Sequence, residues 1–426
     1  MGETAVIWFV WSVLIAVLLA IALGKASMDL AAGAGLLVLG LFQTAPLSTL
    51  FSGFGHPALI TIVAVMVMSE GIYASGVFSG LGLMIAKRTR NIEGQIITAS
   101  LLTSFLSAFM NNVGAVGLVL HTAVRMADRA NIHRSVFGMT IAMAGILGGT
   151  LTLIGSAPNI IVSSYMHSMT GQRFLMFDFF PQGLAILVVF VLLWKISIKL
   201  GVSPMQKPPA RKGDETDHAS PEPPSNPGLF ATPRRKKAVA ISAVGIFFVS
   251  MGMISPALGF ATVVLLFIFF RVITKEEAFQ GIDLSIVIFL GSMIGIGQGL
   301  EHVGGLEKLS AWLIPVVSDL SPQILILSIL FVAAALANAI NNAAAAVVMA
   351  PIAFSLASQT VSVSVPALLM AVAVGSNLAL ILPTHQAALL AMSKAPFSVS
   401  SYMRTGFVLT AAAGLAAAVV IFHVWN

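Results

Sequence analysis

Cysteine is missing from the 426 residues, and charged residues make up only 9% of them. The lack of cysteine excludes disulfides, thiol chemistry and thiolate metal sites. The scarcity of charge, beside 58% hydrophobic residues, argues against a soluble protein, because too few polar groups would remain to cover a water-exposed surface. A net charge of +6 is typical of the basic cytoplasmic loops of membrane proteins and does not indicate nucleic-acid binding. The composition therefore predicts an all-α polytopic membrane protein.

Apolar runs of span length, roughly 20 residues, predict ten membrane crossings. Two further apolar stretches, 95–123 and 322–357, each contain an adjacent pair of asparagines, Asn111-Asn112 and Asn341-Asn342. A polar break inside an apolar stretch predicts a re-entrant hairpin, which enters and leaves the membrane on the same side. The ten runs lie near residues 5–24, 29–46, 57–76, 136–166, 180–200, 238–255, 256–273, 283–300, 366–393 and 405–424.

Four motifs occur twice in the same order, at offsets of 227 to 230 residues. Such order and spacing indicate an internal duplication. The sequence therefore predicts a first membrane repeat at 1–200 and a second at 238–426. The segment 201–237 between them is rich in proline and charge, which predicts a flexible linker. The paired motifs begin at Phe51 and Phe279, Ser69 and Gly297, Met110 and Ile340, and Gly148 and Gly375.

Each repeat contains five crossings and one hairpin, and five is an odd number, so the second repeat is predicted to be inverted. If the N-terminus lies outside, all but two of the 22 lysines and arginines fall in cytoplasmic segments, the exceptions being Arg173 and Lys308. The positive-inside rule therefore predicts external N- and C-termini and a cytoplasmic linker. Inverted repeats with opposed hairpins and interrupted helices are typical of secondary transporters, and no enzymatic motif is present.

The paired asparagines are the first candidates for a binding site. A buried amide costs a few kcal/mol unless it is hydrogen-bonded, so matching amides in both repeats are not expected to face lipid. One interpretation is that both hairpin tips meet at the midplane and bind substrate through Asn111, Asn112, Asn341 and Asn342. The other is that these residues only cap the hairpin helices.

Two proline-containing motifs interrupt long apolar runs at matching positions, Gly155-Ser156-Ala157-Pro158-Asn159 and Leu382-Pro383-Thr384-His385-Gln386. Proline and glycine break helices, and the freed carbonyls can bind Na⁺ while the next half-helix directs its positive N-terminus at an anion. The predicted substrate ligands here are Ser156, Asn159, Thr384, His385 and Gln386. A simple packing kink is the alternative.

No lysine or arginine falls in the predicted site. An anion would then need helix N-termini, amides and a bound cation, which predicts Na⁺ as the coupling ion. Glu70, near the inner end of its span, supports an alternative sodium/proton antiporter, although a structural carboxylate would also explain it. An exporter or channel for a metalloid or anion is the other alternative.

These motifs resemble the divalent anion:sodium symporter family, and LPTHQ with the following Tyr402, Arg404 and Gly406 resembles its sulfate-permease-like branch. The resemblance covers both repeats. It implies a homodimer that works by an elevator movement. It also implies two sodium sites, formed by Ser107, Asn112 and Gly155, and by Ala337, Asn342 and Thr384.

The family's tip triplet is Ser-Asn-Thr, whereas this chain has Asn111-Asn112-Val113 and Asn341-Asn342-Ala343. The loss of the threonine argues against dicarboxylate recognition and favours a smaller or different anion. The expected function is sodium-coupled symport of a small divalent anion, sulfate by preference, across a bacterial inner (plasma) membrane.

Overall fold

The computed structural model describes residues 2–77, 91–199, 233–317, 319–360 and 362–426. Over these ranges the chain forms α-helices, one short 3₁₀ turn at Ser52–Gly55 and no strand. Most of the predicted linker and the basic residues Lys87, Arg88 and Arg90 lie outside the described residues. The helices are α1 Glu3–Ala22, α2 Met28–Leu41, α3 Leu47–Phe51, α4 Pro57–Ala74, α5 Ile92–Ser107, α6 Asn112–Arg129, α7 Arg134–Gly148, α8 Ala157–Thr170, α9 Phe180–Lys199, α10 Pro233–Ser250, α11 Pro256–Phe269, α12 Lys275–Gln280, α13 Leu284–His302, α14 Gly305–Val317, α15 Pro322–Ala339, α16 Asn342–Gln359, α17 Val365–Asn377, α18 Gln386–Lys394 and α19 Val399–Trp425.

The helix starts follow from local sequence. Ser255-Pro256 and Ser321-Pro322 each place a serine at the N-cap and a proline in the first turn, and both hydroxyls accept a backbone N–H from the helix that follows. The serine oxygen accepts one of the N–H groups that have no partner inside the first turn of a helix. Proline has no N–H, so in the first turn it leaves one fewer group without a partner. This chemistry fixes where α11 and α15 begin.

The short helix α12 is held by a complete capping box between Thr274 and Glu277. The carboxylate of Glu277 also accepts a hydrogen bond from Arg234 at 3.0 Å. The backbone N–H of Thr274, and then Arg234, hold the pKa of Glu277 below its usual value. The start of the second half, at α10, is thereby joined to the α12 turn.

Seven of the described helices are long and apolar enough to cross a membrane. Large apolar side chains such as Leu41, Leu265 and Phe269 are 81%, 67% and 78% exposed, as expected for residues that face lipid. The prediction of an all-helical membrane protein is confirmed.

The two long runs predicted at 136–166 and 366–393 are each divided into two helices. The first becomes α7 and α8, and the second becomes α17 and α18, with irregular chain between the members of each pair. The breaks coincide with the two proline-containing motifs, as the sequence predicts.

Each predicted hairpin consists of two helices separated by a short irregular tip, α5 with α6 and α15 with α16. Helices α15 and α16 have 18 residues each, so each is roughly 27 Å long at 1.5 Å per residue. This length is within the range of helices that cross a membrane. Length alone therefore does not decide how deep the tips lie, and re-entry stays a prediction.

Helices at corresponding positions of the two halves make corresponding contacts. Helix α2 packs on α13 and its counterpart α11 packs on α4; α5 packs on α7 as α15 packs on α17; and α8 packs on α16 as α18 packs on α6. Two of these three pairs of contacts join one half to the other. The hydrophobic core is accordingly continuous across both halves.

Candidate functional site

A cavity of about 300 Å³ lies between the two halves, where both tips and both helix breaks meet. Its volume is at the lower end of the range for small-molecule sites, about 300–1,000 Å³. It is lined by Met28, Ile62, Val65, Met66, Asn111, Asn112, Val113, Ile154, Gly155, Ser156, Ala157, Ile160, Ile286, Phe289, Ala337, Ile340, Asn341, Asn342, Ala343, Ala379, Thr384, His385 and Gln386.

Four helices begin at this cavity, two from each half: α6, α8, α16 and α18. Their first residues, Asn112, Ala157, Asn342 and Gln386, all belong to its lining. Each helix N-terminus carries unpaired N–H groups and roughly half a positive charge. The cavity therefore has a positive potential although no described residue that lines it is a lysine or an arginine.

The first asparagine of each tip pair is a helix cap. Oδ1 of Asn111 accepts the N–H of Val113 at 3.1 Å, and Oδ1 of Asn341 accepts the N–H of Ala343 at 2.7 Å. Both residues also line the cavity. These two side chains therefore cap helices, as one of the two interpretations predicts, and they are also part of the cavity wall.

The second asparagine of the first tip, Asn112, belongs to a cluster of oxygen atoms. The Ser107 hydroxyl lies 2.7 Å from Oδ1 of Asn112 and 2.6 Å from the carbonyl oxygen of Gly145, and it can donate its one proton to only one of them. A Cβ atom added at Gly149 would lie 3.1 Å from Oδ1 of Asn112 and 3.0 Å from the Gly155 carbonyl oxygen. Side-chain and backbone oxygens therefore converge beside the cavity.

In the second half the corresponding residues Ala337, Asn342 and Thr384 all line the cavity. Oδ1 of Asn342 accepts the Ala343 N–H at 2.8 Å, the same donor that Asn341 uses. Ala337 packs with two other buried alanines, Ala345 and Ala379, beneath the second tip.

Asn159 is the one predicted substrate ligand that does not line the cavity. Its amide donates to the carbonyls of Gly149 and Thr152 at 3.0 and 2.8 Å, and its Oδ1 accepts from Asn377 at 2.8 Å. Asn377 also receives the hydroxyl proton of Ser156. This buried network joins the break of the first half to α17 of the second.

Sequence reasoning missed Asn338, which lies one turn before the second tip and is 5% exposed. Its amide donates to the carbonyls of Ala334 and Leu378 at 2.8 and 3.1 Å, while its Oδ1 accepts the N–H groups of Ile381 and Leu382 at 2.8 and 3.1 Å. An amide in the apolar C-terminal half of the helix is the signal that could have identified it.

His385 caps the last helix of the cavity. Its Nδ1 accepts the backbone N–H of Ala387 at 3.1 Å, which leaves the proton of the neutral ring on Nε2. A neutral imidazole in this orientation can donate a hydrogen bond to an oxyanion.

One wall of the cavity is apolar and was not predicted. It is formed by Met28 on α2, by Ile62 and Met66 on α4, and by Ile286 and Phe289 on α13. These residues lie in predominantly apolar spans, where the sequence offers no signal that separates them from lipid-facing neighbours.

Glu70 does not line the cavity. It is half-buried near the end of α4, where a Cβ atom added at Gly281 would lie 2.9 Å from its own Cβ. Among the described residues, no cluster of three or more histidine or acidic side chains could hold a metal ion. An ion bound here would be held by neutral oxygens.

A sequence profile of the citrate transporter family, CitMHS, matches residues 7–375. The chain belongs to this family. The matched range includes both tips, the first helix break and most of α17, and it ends two residues before that helix does.

Curated relatives match over shorter stretches. The "Uncharacterized transporter YfbS" of Escherichia coli is 29% identical over 44% of this chain and 30% of its own length. The "Sodium/sulfate cotransporter 1" of Chlamydomonas reinhardtii is 24% identical over 33% of this chain and 17% of its own length. The matches thus span less than a third of each of these two relatives, which are named as transporters. Membership of a transporter family, which the match over residues 7–375 shows, makes the chain a membrane transporter and not an enzyme.

Two solved transporters share the fold at low sequence identity. The YdaH transporter of Alcanivorax borkumensis has a TM-score of 0.60 at 11% identity and covers 88% of this chain and 86% of its own. MtrF of Neisseria gonorrhoeae has a TM-score of 0.57 at 14% identity, with 92% and 85% covered.

Proposed function

We propose that this chain is a secondary active transporter that couples Na⁺ to the symport of a small divalent anion. Sulfate is the preferred substrate and a dicarboxylate the second choice. The observation that carries the proposal is the convergence of four helix N-termini on one cavity. Together they supply up to roughly two positive charges, which matches a divalent anion.

Sodium coupling is supported by the oxygen atoms beside the first tip. Carbonyl oxygens of unwound segments and side-chain oxygens are suitable ligands for Na⁺ in transporters of this general design. Ser107, Asn112 and Gly155 would form the first sodium site, and Ala337, Asn342 and Thr384 the second. A sodium ion next to the anion offsets the cost of moving the anion out of water. The sodium/sulfate cotransporters among the relatives support the same choice of ion and substrate.

The cavity's two walls support an elevator movement. Its polar wall belongs to the tips and the breaks, whereas its apolar wall belongs to α2, α4 and α13. In the proposed mechanism the two tips and the two helix breaks move together with the bound anion. They slide along the apolar wall, which belongs to a dimeric scaffold. The proposal includes a bacterial inner membrane, with both termini outside.

Uptake of labelled sulfate into proteoliposomes tests the function. We expect uptake to require an inward Na⁺ gradient and to fall when unlabelled sulfate is added. Citrate and succinate, added at the same concentration, report whether carboxylates compete. Equal uptake with a K⁺ gradient would contradict coupling to Na⁺. If unlabelled citrate reduced uptake and unlabelled sulfate did not, the substrate would be a carboxylate and not sulfate.

Ser107→Ala tests the first sodium site. We expect the Na⁺ concentration for half-maximal uptake to rise roughly tenfold, since loss of one ligand costs about 1.4 kcal/mol of binding. Ser104→Ala is the matched control, because Ser104 is equally buried one turn earlier but bonds to the Ala144 carbonyl at 2.7 Å. Equal shifts in the two variants would contradict a specific role for Ser107.

A further inference from the structure

A second, smaller cavity of about 40 Å³ lies beside the C-terminal half of α8, with room for a few water molecules. We call it the Arg173 vestibule. Besides Arg173, its polar lining consists of Thr61, Ser163, Ser164, His167 and Ser255. None of these residues was predicted as a site residue, and Arg173 is one of the two basic residues predicted outside the cytoplasmic face.

The vestibule and the central cavity lie along one face of α8. Ser156 lines the central cavity, Ser164 and His167 line the vestibule, and Ile160 lines both. The spacing of three or four residues keeps these side chains on one side of the helix, over a rise of roughly 16 Å. Ile160, only 4% exposed, is the apolar partition between the two spaces.

Arg173 brings a fixed positive charge to the vestibule. Its Nη2 donates to the carbonyl oxygen of Gly252 at 2.7 Å, and it forms no ion pair with a carboxylate in the part of the chain that the structure describes. Asp178, the nearest acid in sequence, accepts the backbone N–H of Leu175 instead. The charge of Arg173 is therefore available to a ligand.

Two of the four hydroxyl groups around Arg173 keep a proton for an oxyanion, since Thr61 and Ser163 already donate to the carbonyl oxygens of Pro57 and Phe174. Ser164 has no hydrogen-bond partner among the described residues, and the Ser255 hydroxyl accepts from Leu258 and keeps its own proton for a ligand. Arginine with nearby hydroxyls binds oxyanions through charge-assisted hydrogen bonds.

We propose that the Arg173 vestibule is a peripheral binding position for a small oxyanion such as sulfate, separated from the central cavity by Ile160. In a transporter, the vestibule would also be the route by which the anion reaches the central cavity. This second role rests on the proposed function. Binding of an anion at Arg173 does not, because it depends only on the residues of the vestibule.

The absence of cysteine allows a test that needs no transport activity. In purified Ser164→Cys protein, we would measure the rate constants for an anionic reagent, methanethiosulfonate ethylsulfonate, and a cationic one, methanethiosulfonate ethyltrimethylammonium. Adding Arg173→Gln should lower the anionic-to-cationic ratio roughly fivefold, the effect of one charge removed at about 8 Å in water. Arg173→Lys should keep the ratio. Both variants retain a donor for Gly252, which limits unfolding.

Two controls define the outcome. Ser393→Cys, at an exposed position of α18, a helix that packs on α6 and α7, should give a ratio that does not respond to Arg173→Gln. Sodium sulfate should slow the anionic reagent at Ser164→Cys more than sodium chloride of equal ionic strength, and only while Arg173 is present. An unchanged ratio in Arg173→Gln, or no specific effect of sulfate, would overturn the proposal. Charge selectivity in a protein that takes up no sulfate would support the peripheral position and refute the proposed function.

Discussion

At the scale of the residue, Asn338 is the side chain that most directly holds the second helix break in shape. It satisfies two carbonyls and two N–H groups, and three of these four partners belong to the irregular segment after α17. Leu378 to Leu380 are buried, and Ile381 and Leu382 are half-buried, so the backbone groups that Asn338 bonds have little access to water.

Asn338→Ala should therefore lower the free energy of unfolding by about 2–4 kcal/mol, since it leaves several buried polar groups unpaired. Asn341→Ala removes only a helix cap at a half-buried position and should cost about 1 kcal/mol. Thermal unfolding in detergent, followed by tryptophan fluorescence, compares the two. Equal melting temperatures would show that the break is held by other contacts.

The sequence predicts which residues meet at the cavity better than it predicts what each one does there. Eight of the nine predicted substrate ligands line it, because their amides and hydroxyls interrupt apolar runs at matching positions in both halves. The pattern does not separate the capping Asn111 from its neighbour Asn112, since adjacent asparagines look alike until the helix start is known. Asn338 and Asn377 were missed because neither has a matching asparagine in the other half: at the offsets of 230 and 227 residues they lie opposite Ala108 and Thr150.

At the scale of the element, each half places a glycine of its last long helix against its own break. A Cβ atom at Gly183 on α9 would lie 2.7 Å from the Thr150 carbonyl oxygen, and one at Gly406 on α19 would lie 1.9 Å from that of Leu380. Both contacts are with backbone, which cannot turn aside as a side chain can. The close approach of these helices fixes the position of the breaks.

Gly406→Ala should therefore displace α19 or the second break, and we expect a large loss of stability, about 2 kcal/mol or more, with reduced uptake. Gly297→Ala is the control, because Gly297 lies within α13 and nothing lies within 4 Å of its added Cβ atom. Alanine there should be neutral or stabilising by up to about 1 kcal/mol. Melting temperatures and uptake rates would be compared, and a neutral Gly406→Ala would contradict the tight contact.

The elements themselves follow largely from the sequence. Apolar runs, Ser-Pro starts and proline-containing interruptions predict the helices, both hairpins and both breaks, because each depends on local chemistry. How the helices pair across the two halves does not follow from the sequence, because α2 and α13 are predominantly apolar and their pairing is settled by shape. The apolar wall of the cavity cannot be predicted from the sequence either, because it depends on the same pairing of helices.

At the scale of the whole molecule, the two halves form one body. Helix α2 of the first half packs on α13, α4 packs on α11, and α8 packs on both α16 and α17. The central cavity takes two helix N-termini from each half, so neither half can form it alone. We therefore expect the helix contacts between the halves to hold them together without the covalent connection.

Cutting that connection tests this view. The predicted linker 201–237 is too long by five residues, because Pro233 to Lys237 already form the first turns of α10. A protease site inserted before Pro233 should allow complete cleavage while both fragments elute together in mild detergent and retain sodium-dependent uptake. Either fragment expressed alone should show none, because the cavity would lack half of its N-termini. Protease should reach the site in inside-out vesicles but not in intact cells, since the basic residues predict a cytoplasmic linker. Separation of the fragments after cleavage would show that the linker, and not the helix contacts, holds the halves together.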